Sequence, residues 1–217
     1  MVATTVRLHY RVFADETGAG VRVPPVASPH FVVRRITPAE HLEFIRAQPW
    51  ASFLQTPAWA KVKREWESES LGWFAPESST EHPTKDTPAP KMAPGDRLVG
   101  AALVLYRHIP KSKRALAYIP EGPVLDWESE DLGAWLNPLA TYLKEHKAFA
   151  VRIGPPVVTR TWTAQQIKDG IAADDIATLT DLPPAERSQS GARVVSQLHE
   201  LGWRQLSASG GFASSAR

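Results

Sequence analysis

The residues of this sequence best suited to chemistry on an anion come in two tight groups, Lys61, Lys63 and Arg64, and then Lys111, Lys113 and Arg114. Such a group either holds a phosphate through charge-assisted hydrogen bonds or forms a solvated face. The whole chain carries 25 Lys and Arg against 23 Asp and Glu, so it lacks the basic field of a dedicated nucleic-acid binder, and any contact with RNA must be local. Other chemistries are excluded by what is missing. Without cysteine there are no disulfides, thiolate nucleophiles or Cys-based metal sites. The seven His are scattered, with no pair four residues apart, so no metal site is expected. A Gly-x-Ser-x-Gly nucleophile elbow is absent as well.

Three more positions have chemically useful side chains. Tyr118 opens and Asp126 closes the run Tyr-Ile-Pro-Glu-Gly-Pro-Val-Leu-Asp, in which Gly122 and Pro123 shape a turn and Asp126 can cap that turn or the next helix. Arg152 lies on an apolar strand just before Pro155 and Pro156, where a salt bridge within the domain is its ordinary role.

These positions need a scaffold, and 217 residues allow one full domain and part of another. Hydrophobic residues at 43% and charged residues at 22% are ordinary for a globular chain, and eight Trp are enough to fill a core and line a groove. Residues 1–30 read as an irregular extension. FVVRRI (31–36) is a short strand, and Thr37, Pro38 and Glu40 form the signature of a capped helix through about Gln48. Thr56 and Pro57 start a second helix, on which Trp59, Val62 and Trp66 are spaced to pack inward. Residues 69–76 read as a strand, and 77–96, rich in Pro, Ser, Thr and charge, as a disordered loop.

RLVGAALVLYRHIP is a buried central strand, paired across the basic turn 110–114 with KRALAYIP as a hairpin. A helix from about Asp131 to Lys147 presents Leu132, Trp135, Leu136, Leu139 and Leu143 on one face, with a kink or restart expected at Pro138. AFAVRIGPP returns as a strand. The order is α+β, or mixed α/β, with helices laid on the faces of a sheet. TAQQIKDGI and SGARVVSQLHELGW then read as helices, and LGW recurs at 71–73 and 201–203, as a duplicated helix-then-strand unit would produce. No run has the apolar length of a signal peptide or a membrane span, so a cytoplasmic, soluble protein is expected.

SFLQTPAWAKVKREW, LVGAALVLYRHIPKSKRALAYIPEGPVLDW and FAVRIGPPVVTRTW, in that order, resemble the FemA/FemB/FemX peptidoglycan-bridge aminoacyltransferases. One departure is Glu121, where many relatives carry a basic residue. The resemblance implies an acetyltransferase-like (GNAT-type) domain over 31–158 and a truncated second copy over 159–217. It implies transfer of an amino acid from aminoacyl-tRNA to the stem-peptide amine of a lipid-linked or UDP-linked peptidoglycan precursor, close to the membrane and without cofactor or metal. Under it, Lys63 holds the precursor pyrophosphate and Asp126 orients or deprotonates the attacking amine. Tyr118, Gly122, Pro123 and Arg152 complete the precursor site. A chain of this length is also consistent with a non-catalytic remnant that binds the precursor without transferring anything. An acetyl-CoA enzyme is the less favoured alternative: the one Arg-x-x-Gly-x-Ala string, Arg97 to Ala102, falls inside the strand RLVGAALVLYRHIP and not in a loop.

Overall fold

A computed structural model describes residues 10–13, 31–76, 96–172 and 181–206. The loop expected at 77–96 falls almost wholly outside the described residues, as does most of the segment expected to be an irregular extension.

The elements follow in the order β1 (Tyr10–Phe13), β2 (Val32–Arg35), α1 (Pro38–Arg46), a 3-10 turn (Phe53–Gln55), α2 (Pro57–Val62), β3 (Glu67–Ala75), β4 (Arg97–His108) and β5 (Ala115–Ile119). They continue with α3 (Leu132–Glu145), β6 (Ala148–Ile153), β7 (Arg160–Thr161), α4 (Ala164–Ala172), β8 (Glu186–Arg187), α5 (Gln189–Glu200) and β9 (Arg204–Gln205). Seven strands form one sheet in the order β2-β3-β4-β5-β6-β1-β9, and β7 pairs with β8 separately. The fold is therefore mixed α/β. All neighbours in the large sheet are antiparallel except β5 and β6, which run parallel because α3 crosses over between them.

Local signals explain several elements. Thr37 and Glu40 form the expected capping box on α1, with Pro38 in its first turn. β4 is long and continuously apolar from Gly100 to Tyr106 because both of its faces are covered. α3 runs unbroken through Pro138, so the expected restart does not occur, and its apolar face packs Leu132, Leu136, Leu139 and Leu143 onto the sheet.

The strand periodicity of two divides the sheet into two faces. Leu71, Trp73, Ala102, Val104, Tyr106, Ala117, Ile119, Val151 and Ile153 point one way, into the main core under α3 and α5. Ala101, Leu103 and Leu105 of β4 point the other way, toward α1, the 3-10 turn and α2.

Three expectations are corrected. Tyr10 is completely buried and β1 is hydrogen-bonded between β6 and β9, so part of the segment read as an extension is an inner strand. Val194, Leu198 and Trp203 join the same core as α3, so a core boundary does not fall at 158. α2 stops at Val62 and buries none of its residues. Val62 is 62% exposed, and Trp66 lies beyond the helix beside the start of β3. The inward-facing stripe read from Trp59, Val62 and Trp66 fails because a six-residue helix makes too few turns to hold one face against the sheet.

Candidate functional site

The turn after β5 is positioned by one buried side chain. Gln55, with no exposed surface, accepts a hydrogen bond from Leu103 N at 2.9 Å and donates from Nε2 to Pro120 O. It thereby ties the 3-10 turn to both β4 and the turn. A Cβ on Gly122 would lie 2.6 Å from the Gln55 side chain, so glycine is required there for close approach. Gly122 O also accepts from Gly154 N at 3.1 Å, joining the turn to the end of β6. Gly122 and Pro123 are both buried. Their part in the fold is to shape the turn.

Beside this turn, on the sheet face away from the main core, cations and rings alternate. Sheet register pairs Tyr118 with Arg152, and the Arg152 guanidinium lies 5.3 Å from the Tyr118 ring centre. Tyr118 in turn lies 6.2 Å from Trp66, and the Arg107 guanidinium sits 5.8 Å from the Trp66 ring. Close by in sequence, Lys63 places its ammonium 5.9 Å from the Trp59 ring and 3.8 Å from a Glu65 carboxylate oxygen. Arg152 Nε is buried, and it has no hydrogen-bond partner among the described residues. Burial holds the Tyr118 phenol above its ordinary pKa, while the Arg152 charge pulls it partly back. The phenol therefore stays protonated at neutral pH and can donate a hydrogen bond.

A cleft of about 350 Å³ opens at the other end of the turn, lined by Trp50, Phe53, Glu121, Pro155 and Pro156 among others. Phe53 is 67% exposed there and packs edge-on against Trp59 at 5.6 Å. Glu121 has a positive φ of 46°, an uncommon conformation for a non-glycine residue, and its carboxylate accepts from Ser52 Oγ at 2.5 Å. This pair fixes the acidic side chain at the cleft wall.

Of the sequence candidates, the structure brings Tyr118 and Arg152 together and puts Gly122 and Pro123 in the turn after β5, against Gln55 and Gly154. Lys63 stands on the adjoining segment. Asp126 is exposed and accepts from Glu128 N at 3.0 Å, an Asx turn leading toward α3, with Asp131 rather than Asp126 capping that helix. Trp66, Arg107 and Gln55 were missed as site residues. Gln55 and Trp66 sit inside the matched string, but the helical spacing of Trp59, Val62 and Trp66 points to an inward stripe, and nothing local announces that Gln55 bridges two distant segments.

Two polar clusters lie away from this site. Glu69 receives Arg35 Nε at 3.0 Å and Nη2 at 2.9 Å, the Tyr142 hydroxyl at 3.2 Å, and the Tyr106 hydroxyl. His41 is fully buried, with Nδ1 2.8 Å from Ser70 Oγ, and burial pushes its pKa down to about 4. Among the described residues no three His, Asp or Glu come together in a metal-binding group, and no helix is long and apolar enough to cross a membrane.

A family model described as the FemAB family matches residues 36–204. A lipid II:glycine glycyltransferase of Staphylococcus saprophyticus is 29% identical over 56% of this chain and 26% of its own length. One of Staphylococcus aureus is 30% identical over 56% of this chain and 25% of its own length. The chain thus spans about a quarter of these relatives. A crystal structure of FemX superposes with a TM-score of 0.45 at 21% identity, covering 78% of this chain and 31% of that one.

Proposed function

We propose, for a chain that belongs to the FemAB family, that it contributes the acceptor side of an aminoacyltransferase acting on a peptidoglycan precursor, with an aminoacyl-tRNA as donor. The relatives are named for glycine transfer to lipid II, and a lipid-linked precursor carries the pyrophosphate that a cationic face can hold.

The observation that carries the reading is the row of Arg107, Trp66, Tyr118 and Arg152 beside Lys63. Guanidinium and ammonium groups suit phosphate oxygens. Arg152 is half-buried beside the Tyr118 ring, and its guanidinium is the group best suited to a phosphate oxygen. Tyr118 adds a neutral hydroxyl donor, and the rings beside the cations exclude water from one side.

The chemistry asks for little beyond placement. An amine with a pKa of about 10.4 must lose a proton to attack the ester, and the tetrahedral oxyanion must be stabilised while the tRNA hydroxyl departs. No protein nucleophile is required. Asp126 is the proposed acceptor of the amine proton. Asparagine can keep the Asx turn to Glu128 N but cannot take the proton. Asp126→Asn should therefore abolish transfer while leaving thermal stability unchanged, and full activity in that variant would remove Asp126 from the mechanism.

Binding and transfer are tested separately. Calorimetry of the purified chain with lipid-linked and UDP-linked precursor should give saturable binding. Lys63→Ala should weaken it about tenfold or more, the usual effect of losing a charge-assisted hydrogen bond. Unchanged affinity would take Lys63 out of the site. Incubation with charged tRNA then reports transfer; saturable binding with no transfer would reduce the role to precursor capture.

A further inference from the structure

We propose that the end of the sheet formed by the turn between β4 and β5, together with the C-terminal end of α2, docks the protein on an anionic phospholipid surface. The inference deepens the proposed function, since it would set the acceptor side against the bilayer that holds a lipid-linked precursor.

The register Glu67 to Tyr106, with Glu67 2.8 Å from His108, places the segment after α2 beside the β4–β5 turn. Two aliphatic side chains project from this end, Val62 at 62% and Ile109 at 42% exposure. Around Ile109 the exposed Lys111, Lys113 and Arg114 complete the turn, and Lys61 and Arg64 flank Val62. Ala115 N donates to Lys147 O at 3.2 Å, which brings the exposed Lys147 at the end of α3 to the same edge. Acidic groups here are Glu65, Glu67 and Glu145. Glu67 is occupied by His108, and Glu65 lies 3.8 Å from Lys63.

The other end of β5 leads instead to Glu121, Asp126, Glu128 and Glu130. Among the described residues, the β4–β5 end thus gathers Lys61, Arg64, Lys111, Lys113, Arg114 and Lys147. Cations close to an anionic leaflet each strengthen binding by about fivefold, and exposed aliphatic tips gain by entering the boundary between headgroups and acyl chains. RNA is the other polyanion such a surface could meet. It favours aromatic stacking platforms, whereas the projecting apolar side chains at this edge are aliphatic.

Co-sedimentation of the full chain with vesicles tests this directly. Vesicles of phosphatidylcholine mixed with phosphatidylglycerol should bind the protein, those of phosphatidylcholine alone should not, and added salt should release it. Combining Lys111→Glu, Lys113→Glu and Arg114→Glu should weaken binding about a hundredfold. Val62→Ser with Ile109→Ser should weaken it several-fold while the salt dependence is kept. Equal binding to both vesicle types, or full binding by the serine pair, would overturn the proposal. So would binding of uncharged tRNA without any binding to the mixed vesicles. These vesicles hold no precursor, so vesicle binding can fail while precursor binding stands, and the reverse.

Discussion

Glu69 on β3 and Arg152 on β6 are both charged side chains of one sheet, and they are treated in opposite ways. On the main-core face, Glu69 is enclosed by Arg35, Tyr106 and Tyr142, all of which donate to it. On the other face, Arg152 lies along the Tyr118 ring with its buried Nε unpartnered among the described residues. A completed buried network fixes strand and helix positions. An incomplete one leaves a buried donor without an acceptor among the described residues. The same residue classes thus serve as scaffold on one face and as a candidate anion site on the other.

That contrast can be broken at either side. The largest effect should come from Glu69→Ala. Arg35 is 68% exposed, so its ion pair contributes little, but the buried Tyr106 hydroxyl would lose its acceptor. Together with the cavity left behind, the cost should be about 3–4 kcal/mol in urea unfolding. Precursor affinity should stay the same in the fraction that remains folded.

His41 belongs to the scaffold as well. Its pKa, lowered from 6.5 to about 4 by burial, means that the unfolded chain binds the proton more readily. The contribution is complete above about pH 6.5 and is lost as the pH falls through 6.5 toward 4, by at most about 3 kcal/mol. Urea midpoints measured at both ends of this window should converge in His41→Asn relative to the unaltered protein.

Smaller effects belong to the candidate site and should appear in binding alone. Arg152→Ala should weaken precursor binding by about 2 kcal/mol in calorimetry, with an unchanged melting temperature. If the melting temperature falls and affinity does not, Arg152 is scaffold and the contrast with Glu69 disappears. Tyr118→Leu keeps an apolar body on the strand but removes both ring and hydroxyl, and should cost about 1 kcal/mol of binding.

Legibility followed the range of the interaction. The capping box at Thr37 and Glu40, the β4–β5 hairpin and the apolar face of α3 were readable because each depends on residues a few positions apart. The burial of Glu69 was not, since in Glu-Ser-Glu-Ser it resembles a surface charge. Only strand pairing with β4 and the approach of α3 enclose it. Tyr10–Phe13 was passed over because four residues show too little periodicity to announce a strand. Within the site, Lys63, Tyr118 and the Gly122–Pro123 turn were named from their motifs. Trp66 and Arg107 were missed because they meet across β3 and β4.

The sequence alone determined the mixed α/β class, most element boundaries, the family likeness and the exclusion of thiol chemistry, all of which rest on local propensity, spacing or composition. Tertiary structure decided which charges are enclosed and which are left open. It also decided that α5 and Trp203 share the main core, and that a glutamine in a short 3-10 turn holds the turn after β5 in place. Those outcomes depend on side chains meeting across distant segments, and that information resides in the packing of the sheet, beyond the reach of any stretch of sequence.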